Sequence, residues 1–155
     1  MKRRKVLIFI GMLFYGLSLS LYAETILVSL KGEDGPVLSA IEGGAMDVLF
    51  DAGFIVFNGV IRRGEGVYPP LEDFKIAKEG GASLLFALEV TIQSQDTKSP
   101  SLPSRLEYQL IRVADRKTLV RGQIENIPKA EEEAWEVYAE RWGKEAANRI
   151  VKGFK

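Results

Sequence analysis

The sequence predicts a single layered α/β domain: a mixed sheet of about five strands with helices mainly on one face, in the order β-α-β-α-β-β-β-α. Three observations carry this. A β-branched segment, a run with helical spacing and a second β-branched segment follow one another from Glu24 to Asn58. Ala82 to Gln93 (ASLLFALEVTIQ) is a nearly unbroken apolar run of strand length. The chain closes on a long stretch whose apolar residues step by four.

Composition narrows the chemistry. The 155 residues hold 21 Lys+Arg, 21 Asp+Glu, no Cys and no His, with 46% hydrophobic residues, which fits one globular domain. Without Cys there are no disulfides, thiol nucleophiles or Cys-based metal sites, and no lipid-accepting residue. Without His the commonest general base near neutral pH and the commonest metal ligand are missing.

The neutral total hides an asymmetry. Lys2, Arg3, Arg4 and Lys5 precede the uncharged run Val6 to Leu21, and Leu21-Tyr22-Ala23 leads into Glu24. This is the pattern of an export leader, with cleavage expected after Ala23. The other reading is an uncleaved anchor, but the run is shorter than the roughly 20 apolar residues of a span and is broken by Gly11, Gly16, Ser18 and Ser20. Removing residues 1–23 leaves 132 residues with 17 cations against 21 acids. Such an acidic domain is a poor nucleic-acid binder. Membrane contact is expected only if the leader is retained.

The elements follow in order. Glu24 to Leu30 (ETILVSL) reads as a strand and KGEDG as a turn, with Pro36 at a helix start. Val37, Leu38, Ile41, Ala45, Val48, Leu49 and Ala52 recur at helical spacing until Gly53. Gly43 and Gly44 sit inside this helix, each at a cost of about 1 kcal/mol relative to Ala, and are expected to let it approach a neighbouring sheet closely. Phe54 to Asn58 is the second strand, and Gly59 to Tyr68 an exposed connection that has room for a short strand at Val60-Ile61. Leu71 to Lys78 forms a short helix ended by Gly80-Gly81. Glu72 and Asp73 read as exposed acids at its start. After the central strand, Ser94 to Ser104 is a polar, Pro-containing loop. Leu106 to Val113 and Leu119 to Asn126 form a hairpin. Ala130 to Phe154 is the last helix, with Glu131, Glu132 and Glu133 expected in its first turn.

No catalytic constellation emerges. The adjacent Glu72 and Asp73 point different ways on a helix, which argues against paired acid–base work. Ser94, Ser99, Ser101 and Ser104 lie near Lys98 without a GxSxG or SxxK spacing. Glu33-Asp34 is too sparse for a calcium loop. No glycine pattern signals a nucleotide, so no cofactor, metal or catalytic residue is assigned. Trp135 and Trp142 share a helix face and are expected to pack on the sheet. Arg62, Arg63 and Tyr68 are the leading partner-contact candidates, since Arg and Tyr are enriched in binding hot spots. The Ser94–Arg105 loop, with Lys98 and Arg105, comes second.

A broader pattern connects these elements. A helix closes at Gly53 and a strand follows at Phe54 to Phe57. Ala77 and Gly80-Gly81-Ala82 introduce the central strand, Leu110 to Ala114, Asp115 and Leu119 to Gly122 form the hairpin, and Ala146 to Phe154 ends the chain. This resembles the periplasmic α/β module of the curli-transport lipoprotein family, of the N-terminal domain of the Tol–Pal propeller protein and of lipoprotein activators of penicillin-binding proteins. The chain departs from the pattern in lacking the lipid-accepting Cys and in having Asn58-Gly59 for a common Asp-Arg and Lys117 for a frequent Gly. The resemblance implies a non-enzymatic exported accessory protein, acting by protein–protein contact in envelope assembly or transport. Its partner would be another envelope protein or a second copy, with no lipid anchor. The alternative is a small-ligand binder, for a glycan or peptidoglycan fragment, resting on exposed Trp135, Trp142 or Tyr68 beside a pocket. An enzyme working with carboxylates alone is the third reading.

Overall fold

A computed structural model describes residues 23–33, 35–64, 66–93 and 102–154. The expected leader up to Tyr22, Asp34 of the expected turn and most of the Ser94–Ser104 loop, Lys98 included, lie outside these residues. The elements are β1 (Thr25–Lys31), α1 (Gly35–Asp51), β2 (Ile55–Arg62), α2 (Leu71–Glu79), β3 (Leu84–Gln93), β4 (Leu102–Arg112), β5 (Thr118–Glu125) and α3 (Trp135–Phe154). They form one five-stranded sheet in the order β2-β1-β3-β4-β5. β1 pairs in parallel with β2 and β3, and the remaining pairs are antiparallel. The order and the mixed sheet agree with the sequence. β3 is central and buried along Leu84 to Leu88, as an apolar run covered on both sides must be. Two boundaries move: β2 extends through Gly59 to Arg62, and Leu102 to Ser104 belong to β4 rather than to the preceding loop.

One face of the sheet carries the main core. Val28, Phe86, Leu106 and Leu110 meet Leu38, Ile41 and Leu49 of α1 and Trp142, Ala146 and Ile150 of α3. Trp142 is 0% exposed and Trp135 is half-buried against the same core, as the helical stripe requires. α1 ends by a Schellman arrangement: the Gly53 N–H donates to the Phe50 carbonyl and the Phe54 N–H to that of Leu49. Gly53 supplies the φ of 94° that this needs.

The two large helices touch backbone to backbone. A Cβ on Gly143 would fall inside contact distance of the Ile41 carbonyl oxygen, and one on Gly44 inside that of Glu140. The expectation that the α1 glycines approach a sheet is therefore corrected. Gly44 meets a helix, and a Cβ on Gly43 would find nothing within 4 Å.

α3 starts at Trp135, five residues later than expected, and its 20 residues run about 30 Å. The first-turn acid is Glu136. Glu131, Glu132 and Glu133 precede the helix because Glu133 serves a tight turn. Its carboxylate accepts the Ala130 N–H at 3.3 Å and pairs with Arg141 at 2.8 Å. The Tyr138 hydroxyl donates to the Ile127 carbonyl at 2.8 Å and holds the incoming chain.

Candidate functional site

The second face of the sheet is built differently. α2 covers only one end of it, packing Phe74 and Ala77 on Leu27, Leu85 and Ile111. Next to this small core sits a polar cluster whose geometry depends on an irregularity in β2. Phe57 pairs with Leu27 and Arg62 with Lys31, so five residues of β2 span four of β1. Side chains alternate along a strand, so one extra residue moves everything beyond it to the opposite face. The irregularity lies beside Gly59, where a Cβ would stand 2.9 Å from the Val28 carbonyl oxygen. Ile61 thereby joins the main core and Arg62 turns to the α2 side.

Arg62 finds Asp73 there. Its Nη2 donates to Asp73 Oδ1 at 2.6 Å and its Nε to the same oxygen at 2.8 Å. Ser29, fully buried on β1, donates to Asp73 Oδ2 at 2.5 Å, and the Tyr68 hydroxyl donates to Ser29 Oγ at 3.0 Å. Asp73 is 1% exposed. The expectation that it is a solvated helix-start acid is corrected, while Glu72 stays exposed and reaches Arg62 at 3.4 Å. The hydrogen bond to Asp73 raises the Arg62 pKa, and burial raises that of Tyr68 well above the usual phenol range.

Lys31 extends the cluster. Its Nζ pairs with Glu89 at 2.7 Å, donates to the Gly66 carbonyl at 3.1 Å and lies 5.9 Å from the centre of the Tyr68 ring. The β2–α2 connection is thus tied to the sheet at Arg62, Gly66 and Tyr68. Chemically this is a clamp. Ser29 is shut away from any substrate, and the carboxylate that could act as its base already accepts two bonds from a guanidinium. Among the described residues, no three His, Cys, Asp or Glu gather where they could hold a metal ion.

The sequence-derived contact candidates are dispersed. Arg62 and Tyr68 are turned inward, a correction to the expectation of an exposed connection. Arg63 stays exposed beside them. Arg105 lies on β4 at the far side of the same sheet face, where it pairs with Glu107 at 2.9 Å and Glu125 at 3.7 Å and donates to Gln123 at 2.7 Å. No pattern in the linear order marks the clamp as a unit. Its one local signal was the pair of acids opening a helix, and nothing in the linear order says which of the two is covered.

A groove that sequence reading missed opens at the sheet end between α2 and the β4–β5 turn, with a volume of about 770 Å³. Phe74, Leu84, Leu119 and Phe154 supply apolar walls. Lys75, Lys78, Arg112 and Arg116 surround them, with Arg116 5.4 Å from the centre of the Phe74 ring. These residues come from four separate segments, so only the folded chain assembles them.

No family model matches the chain, and no curated protein matches it. Solved structures do share its fold. The PelC dodecamer from Paraburkholderia phytofirmans is 14% identical with a TM-score of 0.54, covering 83% of this chain and 86% of that one. Lipoprotein GNA1162 from Neisseria meningitidis is 15% identical with a TM-score of 0.51, covering 83% of this chain and 99% of that one. The expected resemblance thus stands in its coarser form, a fold shared with a lipoprotein. Neither structure bears the Tol–Pal or the penicillin-binding-protein-activator name.

Proposed function

We propose that this chain is an exported, non-enzymatic accessory protein that works through its surface in envelope assembly or transport, by contact with another envelope protein or with copies of itself. The observation that carries this reading is the joining of an export-type leader to a domain with the fold of a PelC dodecamer subunit and of a lipoprotein. The missing His and Cys support the non-enzymatic part. Cleavage after Ala23 belongs to the same proposal. Arg63 and Arg105 are surface groups such a partner would meet, and Lys98 is a third from the loop.

The small-ligand reading keeps only the half-buried Trp135: Trp142 is in the core and the Tyr68 phenol is engaged with Ser29. The test is expression of the full chain with a carboxyl-terminal tag, followed by cell fractionation, amino-terminal sequencing and crosslinking in intact cells. A mature protein beginning at Glu24 outside the cytoplasm, crosslinked to itself or to one envelope protein, is the expected result. An uncut cytosolic protein overturns the reading.

A further inference from the structure

We infer that two copies of this chain pair through a two-fold contact in which the end of α1 of each copy fills the basic groove of the other. This rests on the self-association branch of the function proposed above. It adds the two surfaces and their symmetry.

The first surface lies where α1 hands over to β2. Phe50 is 72% exposed and Ile55 is 55% exposed. Single exposed apolar residues are ordinary on a protein surface. These two are five positions apart around one turn, and Asp47 and Asp51 flank Phe50 on the exposed side of the helix. Among the described residues neither acid has an ion-pair partner; the nearby Lys144 pairs with Glu140. The surface is therefore an apolar knob with two uncompensated negative charges.

The groove is its complement. Its apolar walls are bordered by Leu71, which is 67% exposed. Lys78 and Arg116 on its rim have no acidic partner among the described residues, and Lys75 meets Glu79 only at 3.9 Å. Knob and groove match in both terms, apolar to apolar and acid to base, and the basic rim makes the groove a poor home for a purely apolar partner.

Their positions set the symmetry. Knob and groove share a border on one molecule. Phe54, within the knob segment, lies 6.1 Å from Phe154 of the groove, centre to centre. The Ile55 N–H donates to the carbonyl of Glu24, which also lines the groove. Complementary patches placed side by side are satisfied together when two copies face each other across a two-fold axis. Patches on opposite sides would instead link copies head to tail, into a ring or an open chain.

Sedimentation velocity on the full chain, purified as the cell leaves it and carried to tens of micromolar, tests this. Two charge-reversed variants are needed, Asp47→Lys with Asp51→Lys and Lys78→Glu with Arg116→Glu. All four positions are exposed, and circular dichroism checks that each variant keeps its fold. The wild type is expected to form a dimer that loosens with added salt. Each variant alone should dimerise at least about tenfold more weakly, and an equimolar mixture should recover the dimer because both contacts are then matched. Phe50→Ser, which removes the apolar anchor and leaves every charge in place, should give the same loss. A monomeric wild type overturns the inference, and crosslinking of that monomer to a different envelope protein would leave the proposed function standing. An assembly indifferent to all these variants also overturns it, while self-association itself survives.

Discussion

Arg62 meets Asp73 because β2 uses one residue more than β1 between Phe57 and Arg62. With regular pairing Arg62 would face α1 and α3, and Asp73 would be buried without a cation.

Removing either partner of a buried pair strands the other. Arg62→Met is expected to cost about 3–5 kcal/mol, and Arg62→Met combined with Asp73→Leu to recover most of it. Urea unfolding followed by tryptophan fluorescence measures both. Equal losses in the single and double variants would contradict the role given to the pair.

Tyr68→Phe deletes one hydroxyl and leaves Ser29 its bond to Asp73. A loss of about 0.5–1.5 kcal/mol is expected. Limited proteolysis between Arg63 and Pro70 should become faster, because Tyr68 is one of the points that tie this connection to the sheet. An unchanged cleavage rate would show that the other ties suffice.

The helix–helix contact separates two glycines that look alike in sequence. Gly143→Ala should cost about 1–3 kcal/mol, because the new methyl group meets backbone that cannot yield. Gly43→Ala should gain up to about 1 kcal/mol from helix propensity alone, since it points into open space. Thermal unfolding of the two variants decides, and shifts of the same sign would refute the assignment.

Glu133 titrates in a way that ties stability to pH. Its bond to Arg141 holds its pKa below the ordinary glutamate value of 4.5. A depressed carboxylate adds stability above its unfolded pKa and loses it as pH falls through the folded one. Glu133→Gln should therefore destabilise at neutral pH, with the gap to wild type closing as the pH falls below the ordinary glutamate value of 4.5 and through the depressed one. Unfolding curves across that range check the sign.

The element order was legible because it rests on periodicity. Trp142, Ala146 and Ile150 step down one helix face, and Leu84 to Leu88 form a run that only a central strand can bury. Helix ends were legible where glycine marks them: Gly81, with φ of 77°, closes α2 as Gly53 closes α1. The start of α3 was missed because three glutamates imitate a helix opening while one of them is bonded into a turn. The clamp was hidden because an irregular strand reverses which residues face which way, and linear alternation carries no mark of it. The groove was hidden because its basic rim joins segments that are distant in sequence.

The uncovered part of the second sheet face sets a limit on how this domain can be elaborated. Beyond α2, Glu107, Arg105, Arg121 and Glu125 form a lattice of ion pairs across β4 and β5. A further helix laid over them would have to strip water from four ions and return little apolar area. Growth by insertion is therefore directed to the strand ends and loops, and whatever rests on this half of the sheet must do so through solvent or matching polar groups.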